Sequence, residues 1–316
     1  MPVIIPENLP ATRALQREYI PVMHERRALT QDIRPLKIAL VNLMPKKIET
    51  EIQFLRLIGN TPLQVEVDLI APATHESKNT SRQHLLDFYK TIDQIEGKRY
   101  DGCIVTGAPV EHMAFEEVDY WEELKRIMDF CLTDVFSTIF ICWGAQAALY
   151  YYYNIPKVDL PEKLFGVFLH KLVRKRDITR GFNDVFYVPH SRHTMNRKED
   201  LLKNADLKIL VESEQAGVLF TTTVDQRHYF ISGHLEYDRE TLRDEYDRDR
   251  KKGMDNVPFP HAYFPDDDPD QTPLLSWQAH ANLLYSNWLN HIVYQRTPYD
   301  LGQLAPRQLI LTNKAR

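Results

Sequence analysis

The chain has 316 residues and a mass of 37.1 kDa, enough for one large α/β domain or two modest ones. Its 39 basic and 44 acidic side chains leave a formal charge of −5 and a pI near 6.2. With no long basic run, that balance excludes binding nucleic acid through phosphate neutralisation, and 43% hydrophobic residues exclude global disorder.

In chain order, residues 1–34 read as an arm punctuated by Pro2, Pro6, Pro10 and Pro21, expected to wrap the surface or an oligomer partner. No basic region leads into an apolar core there, so no secretory signal is expected. Leu36 to Met44 is an apolar run of strand length; Pro45 ends it, and Ile48, Ile52, Leu55 and Ile58 then recur at helical spacing. Leu63 to Leu69 alternates strictly and predicts a strand with one wet face. A polar helix is expected over 81–95, a buried strand over Asp101–Thr106 ending at Gly107, a helix around 118–133, and another buried strand at Thr138–Ile141.

Four strands alternating with helices predict a mainly parallel sheet flanked by helices, with ligands at the carboxyl ends of the strands. From 164 to 234 the pattern changes to short strands and turns, including a hairpin of Val218–Thr223 with His228–Ser232. A charged helix follows at about 238–252, then a Pro/Asp-rich loop, then an amphipathic helix near 276–295. The expected organisation is an arm (1–34), one α/β domain (35–301, including the helices from about 238) and a tail (302–316).

Three cysteines, none in a CxxC, argue against a disulfide framework or a cysteine zinc site and for a reducing compartment. Val135–Pro156 carries no charge but is broken by polar residues, Gly144 and Pro156; a buried strand turning into a helix explains it better than a membrane span. The expectation is a soluble, cytoplasmic chain with no membrane or nucleic-acid partner.

Cys142 ends a buried strand and precedes Trp143-Gly144-Ala145-Gln146, where a helix begins. A tight strand-to-helix turn lifts a side chain out of the sheet edge and aims helical N–H groups at what it attacks, which favours a thiolate and an oxyanion. Cys103, inside a strand, and Cys131, inside a helix, read as small buried hydrophobes. For a base, Gly233-His234-Leu235-Glu236-Tyr237 closes another apolar strand. In extended chain His234 and Glu236 point the same way, so the carboxylate can orient the imidazole. His190, also after a strand, is the alternative base. His-x-Glu could ligate a metal, but no further ligands stand at zinc-like spacing, so no metal is expected. The aspartates 266–268 and 270 lack a calcium-loop pattern, and no phosphate-loop motif occurs.

Cys142-x-Gly144-x-Gln146 with the later His234-x-Glu236 resembles class I glutamine amidotransferases. More closely, Asn42 to Glu51 (NLMPKKIETE), Val105 to Pro109 (VTGAP), Cys142-Trp143, Gly233-His234-x-Glu236-Tyr237-Asp238 and Asn287 to Asn290 (NWLN) resemble the cysteine-dependent homoserine O-acyltransferases of methionine biosynthesis, over nearly the whole chain. The resemblance implies a flavodoxin-like three-layer fold and a ping-pong reaction. Cys142 takes an acyl group from acyl-CoA and the γ-hydroxyl of homoserine removes it, with His234 as base and Glu236 as its orienter. It implies substrate contacts by Lys163, Ser191 and Arg248 and no cofactor beyond the CoA substrate. Trp143 N–H and Lys47 are the candidates for oxyanion support. The resemblance also makes Glu111 the selector of the acyl donor. A carboxylate beside the acyl pocket repels the second carboxylate of a succinyl chain and takes its space, so acetyl-CoA is the expected donor. The alternatives are succinyl-CoA, a glutamine amidotransferase-type hydrolase, and a non-catalytic sensor with Cys142 as a redox switch. The arm and the aromatic last helix suggest a homodimer.

Overall fold

The computed structural model describes residues 3–6, 8–18, 22–23, 34–74, 79–253 and 257–309. Parts of the arm and tail therefore lie outside the described residues. The order is β1 (Val3–Ile4), α1 (Pro10–Arg17), β2 (Val22–Met23), β3 (Leu36–Val41), α2 (Lys47–Gly59) and β4 (Val65–Ile70). Then come α3 (Arg82–Phe88), β5 (Tyr89–Lys90), α4 (Ile92–Ile95), β6 (Tyr100–Val105), α5 (Trp121–Thr133), β7 (Val135–Ile141) and α6 (Trp143–Tyr153). The second half holds β8 (Val158–Leu172), β9 (Val185–Met195), α7 (Lys198–Leu202), β10 (Leu207–Ser213), β11 (Gly217–Thr223), β12 (His228–Ile231), α8 (Thr241–Lys251) and α9 (Gln278–Asn287), which runs on as a π-helix over Trp288–Tyr294.

Among the described residues one sheet carries twelve strands in the order β2-β1-β4-β3-β6-β7-β12-β11-β10-β8-β9, with β5 beside β4. It is parallel from β2 to β12 and antiparallel from β12 to β9. The fold is thus α/β with a large, mostly parallel sheet between helices. Strands β6 and β7 are buried at every residue, as parallel strands covered on both faces should be. Alternate residues feed two cores. Ile38, Leu40, Ile104 and Ile139 pack with Phe54 of α2 and Trp288, while Ala39, Val41, Cys103 and Phe140 pack with Met128 of α5 and Leu149 of α6.

The expected helix over 81–95 is two helices with β5 between them. Tyr89 and Lys90 pair with Leu69 and Ile70, and Thr91 caps a new helix by exchanging hydrogen bonds with Gln94. Sheet pairing and a capping box outcompete helix continuity. The arm also contributes to the sheet, through β1 against β4. No helix among the described residues is long and apolar enough to cross a membrane.

Candidate active site

Strands β3, β6, β7 and β12 run parallel, so residues 42–47, 106–111, 142 and 232–237 emerge at one edge of the sheet. The β7–β12 ladder pairs Ile141 with Ile231, and the Cys142 N–H donates to the Ile231 carbonyl at 2.7 Å. Thiol and imidazole carriers thus leave neighbouring strands in fixed register. At Cys142 the chain turns from strand to helix within one residue, at φ 49° and ψ −118°. That strained conformation is held because both flanking elements are locked in the core. Gly144 permits the turn, since a Cβ there would lie 2.5 Å from the Thr106 carbonyl oxygen.

Cys142, His234 and Glu236 are all buried. His234 Nδ1 donates to Glu236 Oε1 at 2.6 Å, which leaves Nε2 for the hydrogen bond with the Cys142 thiol. The segment is not extended: a turn over 234–237, with Tyr237 N–H on the His234 carbonyl, brings carboxylate and imidazole together. Burial disfavours the imidazolium, but the neighbouring Cys142 and Glu236 outweigh it and raise the His234 pKa well above its ordinary value. Tyr237 stacks on the ring at 4.2 Å between centroids.

Gly107 closes the other side. A Cβ there would sit 3.2 Å from Cys142 Cβ and 3.7 Å from both Cys142 Sγ and His234 Cε1. The arrangement has the parts for nucleophilic acyl transfer: a thiol, an imidazole oriented by a carboxylate, and the first N–H of a helix at Trp143.

His190, the alternative base, is committed elsewhere. His170 Nδ1 donates to the Phe168 carbonyl at 2.9 Å, so its Nε2 accepts from His190 Nε2 at 3.2 Å, and Arg192 Nε donates to His190 Nδ1. Burial, then the Arg192 charge, hold the His190 pKa well below its usual value.

The other sequence-named residues divide. Lys163, Ser191 and Arg248 meet around two carboxylates of α8. Ser191 Oγ donates to Glu245, Lys163 lies 3.8 Å from Glu245 and 3.5 Å from Asp249, and Arg248 Nε donates to Asp249 at 2.7 Å. Tyr237 joins this cluster through its hydroxyl on Glu245. Glu245 and Asp249 carried no sequence signal beyond membership of a charged helix. Glu111 is half-buried, unlike the exposed Glu116 and Glu117 of the acidic run. Burial raises its pKa, opposed by the His193 backbone N–H and by the charges of His234, Lys163 and His112. Glu116, by contrast, is exposed and takes the Tyr150 hydroxyl. Lys47 is buried and donates to the Asn42 carbonyl at 2.6 Å and the Met44 carbonyl at 3.4 Å, bonds that brace the β3–α2 turn. The Trp143 indole is buried against Phe115 and Tyr120. Among the described residues no group of acidic, histidine and cysteine side chains could hold a metal ion.

Comparison with known proteins fits this geometry. Residues 2–299 match a family model described as homoserine O-succinyltransferase. A homoserine O-acetyltransferase of Clostridium novyi is 59% identical over 95% of this chain and 99% of its own length, and one of Acetivibrio thermocellus is 56% identical over 96% and 100%. In fold the chain is similar to a glutamine amidotransferase of Thermotoga maritima, at 12% identity and a TM-score of 0.53 over 83% of this chain and 99% of that one. With its motifs, its fold and its full-length relatives in agreement, this chain belongs to the homoserine O-acyltransferase family.

Proposed function

We propose that the protein moves an acetyl group from acetyl-CoA to the γ-hydroxyl of L-homoserine through a thioester on Cys142, giving O-acetylhomoserine and CoA for methionine biosynthesis. The observation that carries the reading is the buried Cys142–His234–Glu236 set at the strained turn, in a chain whose relatives bear that activity in their names. The Cys142 thiolate attacks the acetyl carbonyl; the C–S bond to CoA breaks, and the imidazolium of His234 protonates the departing thiolate. His234 then takes the proton of the homoserine hydroxyl as that oxygen attacks the acetyl-cysteine, and the Cys142 thiolate leaves. Glu236 holds the ring and its positive charge. The Trp143 N–H donates to the oxyanion, and Lys47 supports it indirectly by bracing the turn at the end of β3.

Lys163, Ser191 and Arg248 recognise the substrates, with the planar fork of Arg248 suited to the homoserine carboxylate. Glu111 selects acetyl over succinyl. Its proximity to His234 and Lys163 supports that role, and the acetyltransferase names of the relatives favour it over the succinyl description of the family model. The three cysteines are free, which suits work in the cytoplasm. Exposed Leu169, Val173, Val185 and Tyr187 on the β8–β9 side suit a homodimer.

Intact-protein mass after mixing with acetyl-CoA and no acceptor tests the proposal. One acetyl group is expected on Cys142 and none on Cys142→Ala, while Cys103→Ala and Cys131→Ala acetylate normally. An adduct on another residue, or ammonia release from glutamine in place of acetylation, refutes it.

A further inference from the structure

Arg192, on β9, is 1% exposed, yet every hydrogen bond recorded for its side chain goes to a neutral acceptor: the His190 ring, the Thr194 carbonyl at 2.7 Å and the Ala216 carbonyl at 2.5 Å. A guanidinium does not shed its charge at physiological pH, and one buried without an anion is strongly disfavoured. Arg307, the other buried guanidinium among the described residues, follows the rule: it pairs with Asp206 at 2.6 Å and Asp225 at 2.9 Å. Arg192 has no such carboxylate within ion-pair distance among the described residues. It shares with Cys142 the lining of a cavity of about 20 Å³, together with Gln146 and Ser232, room for roughly one water. The acidic groups that act on its charge are Cys142 and Glu111.

We propose that Arg192 is a positioning residue whose buried charge holds the Cys142–His234 pair in its thiolate–imidazolium form. The inference rests on Cys142 being the nucleophile. The charged and titratable groups acting on the thiol are His234 and Tyr237 from the turn after β12 and Arg192 from β9; Glu236 acts on His234 and Tyr237, Glu111 from the loop after β6 acts on Arg192 and His234, and Arg192 itself also faces His190 and His170. Glu236 and Glu111 lie on the partners of the thiol, His234 and Arg192, so the pocket already holds two carboxylates. The two histidines beside Arg192 are held neutral by their hydrogen-bond chain, so they add no positive charge. Arg192 is thus the fixed cation that offsets the two carboxylates, and without it the thiolate has the imidazolium alone.

The test is the pH dependence of iodoacetamide alkylation of Cys142, with the modified residue located by peptide mass spectrometry. It compares wild type, His234→Asn and two charge-removing variants, Arg192→Met and Arg192→Gln. Each neutral variant is expected to raise the pH midpoint of alkylation by about one unit, so that alkylation at pH 7 slows about tenfold. Gln keeps donors for the β9 and β10–β11 carbonyls, so it answers the question if Met fails to fold. A folded neutral variant with the wild-type midpoint, whatever its turnover, overturns the inference and leaves Arg192 a strand-linking group. Failure of the underlying reading looks different: wild type then forms no acetyl-Cys142, or His234→Asn leaves the midpoint where it was.

Discussion

Gly107→Ala separates the space around the thiol from the stability of the fold. The new methyl would lie 3.2 Å from Cys142 Cβ, and 3.7 Å from Cys142 Sγ and from His234 Cε1. The first approach is a few tenths of an ångström inside the ~3.5 Å optimum for carbon pairs. Overpacking of that size costs about 1 kcal/mol, which lowers the melting temperature by about 1.5 °C in a chain of this length. The chemistry loses more. An attacked carbonyl must come within about 3–3.5 Å of the thiolate, and displacing it by ~1 Å slows reaction about 10²-fold, or ~2.7 kcal/mol on the barrier. The methyl occupies space against both the thiol and the ring that must serve it. The assay is kcat/KM for acetyl-CoA, with rapid-quench mass spectrometry to follow acetyl-Cys142 and calorimetry to follow Tm. A variant within about threefold of wild-type kcat/KM would show that the face towards Gly107 is not where the acyl group enters.

Three further outcomes are expected. Glu111→Gly should lower the ratio of kcat/KM for acetyl-CoA over succinyl-CoA by about tenfold or more; an unchanged ratio refutes the selector role. Glu236→Gln should lower kcat/KM by about 10²–10⁴-fold. His234's raised folded pKa makes its stabilisation complete below the unfolded value near 6.5 and lost as pH rises through the folded one. The wild type's urea-unfolding advantage over this variant should therefore be widest near pH 6 and shrink upward, and a gap that widens with pH contradicts the coupling. Burial, against the pull of Glu51, depresses the Lys47 ammonium from 10.5 to about 8, which penalises the folded state below that pH and is relieved above it. Wild type should therefore gain on Lys47→Met by about 3 kcal/mol between pH 8 and 10.5, and a flat difference would mean that the ammonium is solvated.

What was legible in the sequence was local. Strands buried on both faces read as apolar runs, so β3, β6 and β7 were found, and the abrupt change from Thr-Ile-Phe-Ile to Trp-Gly-Ala-Gln marked Cys142. His234-x-Glu236 was legible as a pair, although it acts through a turn and not an extended strand. The break in the 81–95 helix was hidden because β5 exists only through its pairing with β4, a partner about twenty residues earlier. Glu245 joins the cluster of Lys163, Ser191 and Arg248 through Ser191, 54 residues before it, and no period on α8 distinguishes it from Asp244 or Asp247. Arg192 was invisible for a related reason. Its significance lies in the carboxylate it lacks, and a missing partner has no sequence pattern.

The strained turn at Cys142 sets two demands on one position. A left-handed φ suits glycine, and a non-glycine residue in such a conformation sits about 1–3 kcal/mol above it. The fold alone would be better served by Cys142→Gly, which relaxes the backbone and removes the thiol proposed as nucleophile in one change. Heat tolerance selected without a requirement for homoserine acetylation should therefore drift toward glycine there, while selection for both must recruit its stability elsewhere, in the two cores or along the sheet.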